Sequence, residues 1–210
     1  MFVQWCIKGI AGRESFDPPH TGLDDDAARD LIDSAEGILC NWWRNASGIA
    51  RTDVAGKLTP GNLTRHIHDY ANFGAETPFI SLTAGCVSRE IALRLNRVHE
   101  AQDIALRFAT DFGHRTGYLY YCWVIVGLNP AVEIESVAEE VRELHTYLSW
   151  SDYQLEGEVT AKIVVPATQI ERCERWDSDR AGRVERSCTW RHDNPAFCDP
   201  ASVVNLRRFL

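Results

Sequence analysis

The stretch Tyr153-Gln154-Leu155-Glu156-Gly157-Glu158-Val159 leads directly into Thr160-Ala161-Lys162-Ile163-Val164-Val165-Pro166. The second run is β-branched and apolar, which predicts a buried strand. A strand places residues i and i+2 on one face. Glu156 and Glu158 are therefore expected to point the same way, at the mouth of that strand. Two carboxylates so close repel, and one of them should titrate above the ordinary range. Such a conflict belongs either to a solvated hairpin end or to a site that uses it.

Around this pair, the 210-residue chain has room for one domain with a substantial core. Its 45% hydrophobic and 25% charged residues are those of a globular protein. A net charge of −8 disfavours a chain that gains its main affinity by releasing counterions from nucleic acid. No run approaches the roughly 18 apolar residues of a membrane span. Met1 to Ile10 is apolar but holds Lys8 and lacks a basic start and a small-residue cleavage site. It predicts a first core strand and no signal peptide. The compartment stays open, with secretion or delivery as an effector among the possibilities.

Seven cysteines include no Cys-x-x-Cys pair, so no zinc or other metal site is expected. Cys6 and Cys122 fall in apolar runs and are expected in the core. Cys188 and Cys198 bracket a loop that a disulfide would close in an oxidising compartment. Asn45-Ala46-Ser47 and Asn62-Leu63-Thr64 fit the glycosylation sequon.

Periodicity predicts a strand over 2–10, a loop around Asp17-Pro18-Pro19, and a helix over 24–44 that starts on Asp24-Asp25-Asp26. A short helix over 62–73 carries His66 and His68. A strand follows over 79–83, then a long helix over 87–112 and a central strand over 118–128. An amphipathic helix over 132–148 precedes the loop before Glu156. A last strand is expected over 170–176, and residues 177–210 read as polar and irregular. The sum is an α+β protein.

Four features occur in a fixed order. Arg13 stands four residues before Asp17-Pro18-Pro19. Phe79-Ile80-Ser81-Leu82-Thr83 is a strand ending in hydroxyls. Ala105-Leu106-Arg107-Phe108-Ala109 and then Gly117-Tyr118-Leu119-Tyr120 form a helix running into a strand. Glu156-Gly157-Glu158 is followed by Val159-Thr160-Ala161 and by Val165-Pro166-Ala167-Thr168-Gln169-Ile170. This order resembles the mono-ADP-ribosyltransferases of the cholera toxin and heat-labile enterotoxin A-subunit type. Their pattern is an arginine on the first strand, a Ser-Thr-Ser strand and a Glu-x-Glu pair. The resemblance spans residues 2 to 176. The Ser-Thr-Ser strand is here Ser81-Leu82-Thr83, and Arg-Pro-Pro is Asp17-Pro18-Pro19. Lys8-Gly9-Ile10 sits where related transferases have Arg-Gly. Between Lys8 and Arg13, the planar two-donor fork of arginine favours Arg13.

The resemblance implies the ADP-ribosyltransferase fold: α+β, with two small facing antiparallel sheets, an NAD cleft and flanking helices. It makes 1–176 the catalytic domain and 177–210 a polar C-terminal segment. NAD enters as a substrate, without metal. By the same resemblance, Arg13 clamps the pyrophosphate. Glu158 supports the positive charge that develops on the ribose as nicotinamide leaves, with Ser81 holding it in place. Glu156 draws a proton from the acceptor, and Tyr153, three residues earlier, contacts the acceptor. Asn62-Leu63-Thr64-Arg65-His66 resembles the Asn-Leu-x-x-His segment of the enterotoxins, which places His66 at the NAD site. The His66-x-His68 pair lacks the further ligands that a metal needs.

The implied reaction is transfer of ADP-ribose from NAD to an arginine of a target protein, with hydrolysis of NAD when water replaces the acceptor. Two alternatives stand beside it. Arg172, Arg175, Arg180, Arg183, Arg186 and Arg191 suggest a nucleic-acid acceptor such as guanine. The altered motifs suggest a member that only binds NAD or a protein. Target and any antitoxin or delivery partner are left open. Twelve residues follow Cys198, so the long helix that threads a binding pentamer in the enterotoxins is not expected. Those toxins carry a similarly spaced late disulfide, which implies a Cys188–Cys198 bond if the chain is exported.

Overall fold

The computed structural model describes residues 1–14, 22–34, 36–46, 53–90, 95–127, 132–141, 156–177 and 188–202. In chain order the elements are β1 (Phe2–Ala11), α1 (Asp25–Asp33), β2 (Ile38–Leu39), α2 (Asn41–Asn45), α3 (Val54–Lys57), α4 (Pro60–His68) and α5 (Tyr70–Phe73). They continue with β3 (Phe79–Thr83), β4 (Cys86–Glu90), β5 (Leu95–His99), α6 (Ala101–Ala109), β6 (Gly117–Val126), β7 (Glu158–Lys162), β8 (Val164–Val165), β9 (Ile170–Trp176) and β10 (Trp190–Asp193). Helices precede and flank an antiparallel sheet, so the α+β class holds.

The main sheet runs β10-β9-β6-β1-β3-β7. β1 pairs with β6 along its whole length, from Phe2↔Val126 to Ala11↔Gly117. With β3 it pairs only at Ile7↔Thr83. The sheet is thus two halves, β10-β9-β6-β1 and β3-β7, joined at one point and parting beyond it. The gap between the two halves is the cleft. The small pair β2-β8 extends the second half, and β4-β5 pairs only with itself.

The two faces of the sheet pack differently. Cys6, Tyr118, Tyr120 and Cys122 face a large core that also takes Ile32 of α1, Leu63 of α4 and Leu82, Val159 and Val165. Ile7, Leu119 and Trp176 face a smaller one, closed by Ala105 and Ala109 of α6. α6 can come this close because Gly9 has no side chain. A β-carbon there would stand 2.6 Å from the Ala105 carbonyl oxygen.

Several elements differ from the sequence reading. The helix expected over 24–44 stops at Asp33, because Gly37 adopts φ +76° and turns the chain into β2. The expected helix over 87–112 is instead the β4–β5 hairpin followed by α6. Residues 132–140 form turns and bridges, with Ala138 against Val126 and Glu139 against Thr160, in place of a helix. Val141 is helical, and residues 142–148 of that expected helix lie outside the described residues. The C-terminal stretch read as irregular contributes β10, the edge strand on β9.

Cys188 and Cys198 are free and exposed, which corrects the expected disulfide. Their neighbourhoods are anchored at opposite ends of β9. Thr189 N–H donates to the Arg175 carbonyl, and Cys198 N–H donates to the Thr168 carbonyl. Seven residues of mostly extended chain separate those acceptors, on the order of 20 Å. A disulfide needs α-carbons within about 7 Å.

Candidate active site

β3 and β7 build the cleft wall by simple alternation. Ser81 pairs with Thr160 and Thr83 with Glu158, so these four share a face. Leu82 and Val159, the pair between them, are buried in the large core. The leucine that replaces the central hydroxyl of the Ser-Thr-Ser pattern therefore leaves the cleft face unchanged.

Glu158 is 6% exposed, yet it lines a cavity of about 580 Å3. Burial opposes its charge, but His66, Ser81 and Thr160 overcome this and hold the carboxyl below the ordinary range. Thr160 Oγ1 donates to Glu158 Oε1 at 3.1 Å, and His66 Nε2 lies 3.5 Å from the same oxygen. His66 is itself fixed from both sides. Its Nδ1 is 2.9 Å from Thr77 Oγ1, and its Nε2 is 2.9 Å from Ser81 Oγ. Thr77 Oγ1 accepts from Phe79 N–H, so its own proton is free to point at Nδ1. Both ring nitrogens of His66 are thus engaged by hydroxyls, with Nε2 turned toward Ser81 and the carboxylate. The line Thr77–His66–Ser81–Glu158 is a connected chain of hydrogen-bonding side chains that ends on one carboxylate.

Glu156 lines the same cavity. It is not in the strand, which begins at Glu158. Gly157, at φ +57°, makes a turn between the two acids. The turn is pinned by Thr83 Oγ1, which donates to the Glu156 carbonyl at 2.7 Å, and by Ala84 N–H on the Gly157 carbonyl. The carboxyls thus converge on one cavity by a turn and not by strand alternation. Burial first, and then the Glu158 charge, push Glu156 up to about 7. The conflict expected from sequence resolves with Glu158 ionised and Glu156 poised near neutral pH.

The cation in the cleft is Lys8, not Arg13. Arg13 is paired with Asp24 at 3.0 Å on the exposed start of α1 and lines neither the glutamate cavity nor the one beside it. Lys8 lines the glutamate cavity and an adjoining one of about 390 Å3, where it is joined by Arg44 and Asn41. Burial lowers the Lys8 ammonium, Glu158 opposes that, and Arg44 adds to it. The signal was present in the sequence. Cys6 and Lys8 are two apart on a strand whose Cys6 face is core, which put a lysine where burial has to be compensated.

Of the residues singled out from sequence, Glu156, Glu158, Ser81 and His66 line one cavity, and Arg13 does not. Tyr153 lies outside the described residues. Sequence reasoning missed Arg44 and Thr77, which are distant in sequence and carry no local signature. It also missed Thr160, which the two-residue alternation from Glu158 would have revealed. Among the described residues no three His, Cys, Asp or Glu side chains gather as metal ligands, and no helix is long and apolar enough to cross a membrane.

No protein-family model matches the chain, and no curated protein matches it. Solved structures do. EcPltA is 12% identical, with 94% of this chain and 89% of that chain covered and a TM-score of 0.52. A mutant of E. coli heat-labile enterotoxin is 14% identical, with 94% and 79% covered and a TM-score of 0.42. Nicked CARDS toxin is 13% identical, with 93% and 31% covered and a TM-score of 0.41. At these identities a likeness is one of fold alone, and the chain shares the α+β fold of EcPltA.

Proposed function

We propose that the protein is a mono-ADP-ribosyltransferase that takes NAD as substrate and modifies arginine on a target protein. The observation that carries this reading is the pair of glutamates in one cavity with opposite titration: Glu158 ionised and held by His66, Ser81 and Thr160, Glu156 near 7. A fixed negative charge and a group able to take a proton near neutral pH are what glycosyl transfer to a nitrogen nucleophile needs.

The donor set fits NAD. Lys8 and Arg44 line the cavity beside the glutamates and would face its pyrophosphate. Glu158 would sit against the nicotinamide ribose. As the ribose C1′–nitrogen bond breaks, nicotinamide leaves with the bonding pair, and the sugar's growing positive charge meets the Glu158 carboxylate. The acceptor guanidinium nitrogen forms the new bond to C1′ and gives its proton to Glu156. Ser81 and His66 act through Glu158, keeping its carboxylate in one orientation. Phosphate binding through an ammonium and a separate guanidinium replaces the single arginine fork expected from sequence.

The two alternatives lose support for specific reasons. Arg172 is paired with Glu171 and Glu174, Arg175 with Asp25 and Asp177, and Arg191 with Asp193. These three are paired with carboxylates where nucleic acid would need them free, while Arg180, Arg183 and Arg186 lie outside the described residues. The altered Ser-Leu-Thr motif keeps both cleft hydroxyls and so gives no ground for a binder that has lost its chemistry, and the altered Asp17-Pro18-Pro19 lies outside the described residues.

The test is Glu156→Gln assayed side by side for nicotinamide release and for label transfer to agmatine. Transfer is expected to fall about 10²–10³-fold, and further than nicotinamide release, because glutamine cannot accept the guanidinium proton. Equal loss of both activities would assign Glu156 to the ribose and remove the case for arginine.

A further inference from the structure

The mouth of the glutamate cavity carries an aromatic surface that the chemistry above does not use. Phe108 of α6 lines that cavity together with Glu156 and Glu158, yet is 51% exposed. Phe112 is 63% exposed, with its ring 6.3 Å from that of Phe108. α6 cannot roll to hide Phe108. Ile104, Ala105 and Ala109 are already buried against the sheet, and Gly9 and Gly117 have admitted the helix backbone to contact distance. The turn after α6 puts Asp111 at φ +48° and Phe112 at φ +57°, a conformation costly for a residue with a β-carbon. It is held there by buried Thr110. The Thr110 hydroxyl donates to the Leu106 carbonyl and accepts from Gly113 N–H, and its carbonyl accepts from His114 and Arg115 N–H.

We propose that Phe108, backed by Phe112, is the shelf on which the acceptor's guanidinium stacks while Glu156 accepts its N–H groups. The inference rests on the transferase reading above and names how that site selects its acceptor. A guanidinium is flat, so it can lay its face on a ring and offer its edge to a carboxylate at once. A lysine ammonium has no such plane. The same cavity supplies both partners, a half-buried carboxyl and an exposed ring, and the fold keeps two phenylalanines in water beside it. The shelf therefore selects arginine over lysine side chains and contributes to acceptor binding, not to cleavage of NAD.

The experiment compares wild type with Phe108→Leu and Phe108→Trp. Leucine keeps the apolar bulk and loses the π face, whereas tryptophan enlarges that face. Two constants are measured: KM for agmatine in transfer, and KM for NAD in acceptor-free nicotinamide release. Phe108→Leu is expected to raise KM for agmatine about 3- to 30-fold, and at least threefold more than KM for NAD. Phe108→Trp is expected to hold or lower KM for agmatine. If both constants rise together in Phe108→Leu, or KM for agmatine does not move, the shelf is refuted while the transferase reading stands. A wild-type protein that releases nicotinamide but never labels agmatine refutes the guanidinium occupant. One that releases no nicotinamide overturns the functional reading and the shelf with it.

Discussion

Glu156 and Glu158 are two residues apart and share a cavity, but their surroundings separate them. Glu158 faces three groups that favour its charge, and Glu156 faces desolvation and its neighbour's charge. Ionisation of Glu156 near 7 has a kinetic consequence. Only the deprotonated form can take the acceptor's proton, so log kcat/KM for transfer is expected to rise with unit slope up to about pH 7 and flatten above it. Glu158 is already ionised throughout that range. The acid limb should vanish in Glu156→Gln, and a profile for that variant identical in shape to wild type would contradict the assignment. Lys8 lines the glutamate cavity and Arg13 does not, a difference set by the strand face and not by the shape of the cationic group. Lys8→Ala is expected to weaken NAD binding by at least 10-fold, since it removes a charge-assisted phosphate contact. Arg13→Ala should change the same dissociation constant by less than twofold. The reverse order, measured by titration calorimetry, would return the role to Arg13.

At the scale of elements, the turn between the glutamates is as necessary as the glutamates. Gly157 sits at φ +57°, and a β-carbon there would lie 2.6 Å from the Gly85 carbonyl carbon, backbone on both sides. Gly157→Ala is expected to cost about 2–3 kcal/mol of stability, read as a lowered urea midpoint, because neither backbone can yield without breaking the Ala84–Gly157 bond. A midpoint equal to wild type would mean that the turn has another conformation. The strands β3 and β6 were legible because each is a dense run of β-branched and aromatic residues. The helix over 24–44 and the helix over 87–112 were misread for a shared reason. Apolar residues at three- and four-residue spacing do not register a glycine that reverses the backbone, as Gly37 does. Nor do they distinguish a helix from a hairpin paired only to itself, in which Val98 stays 66% exposed. The two acids of Glu-x-Glu do share one cavity, but through a turn at Gly157 and not along one strand.

For the molecule as a whole, function follows from a sheet that nearly fails to close. Full pairing of β1 with β6 and single-point pairing with β3 leave a cleft with β1 on one wall and β3 and β7 on the other. Lys8 enters from β1, His66 from α4, Ser81 from β3 and the glutamates from β7 and the turn before it. The order of those motifs was visible in the sequence, and their convergence was not, since it depends on the register of three strands. The central claim is that this convergence cleaves NAD. It is tested most directly by incubating the purified protein with NAD and quantifying released nicotinamide, with Glu158→Gln as the matched control of equal melting temperature. Wild type is expected to release nicotinamide at a rate on the order of 10²–10³ times that of Glu158→Gln, the usual cost of losing one well-placed electrostatic contact. Equal rates in the two proteins, or no release by either with and without agmatine, would contradict the account.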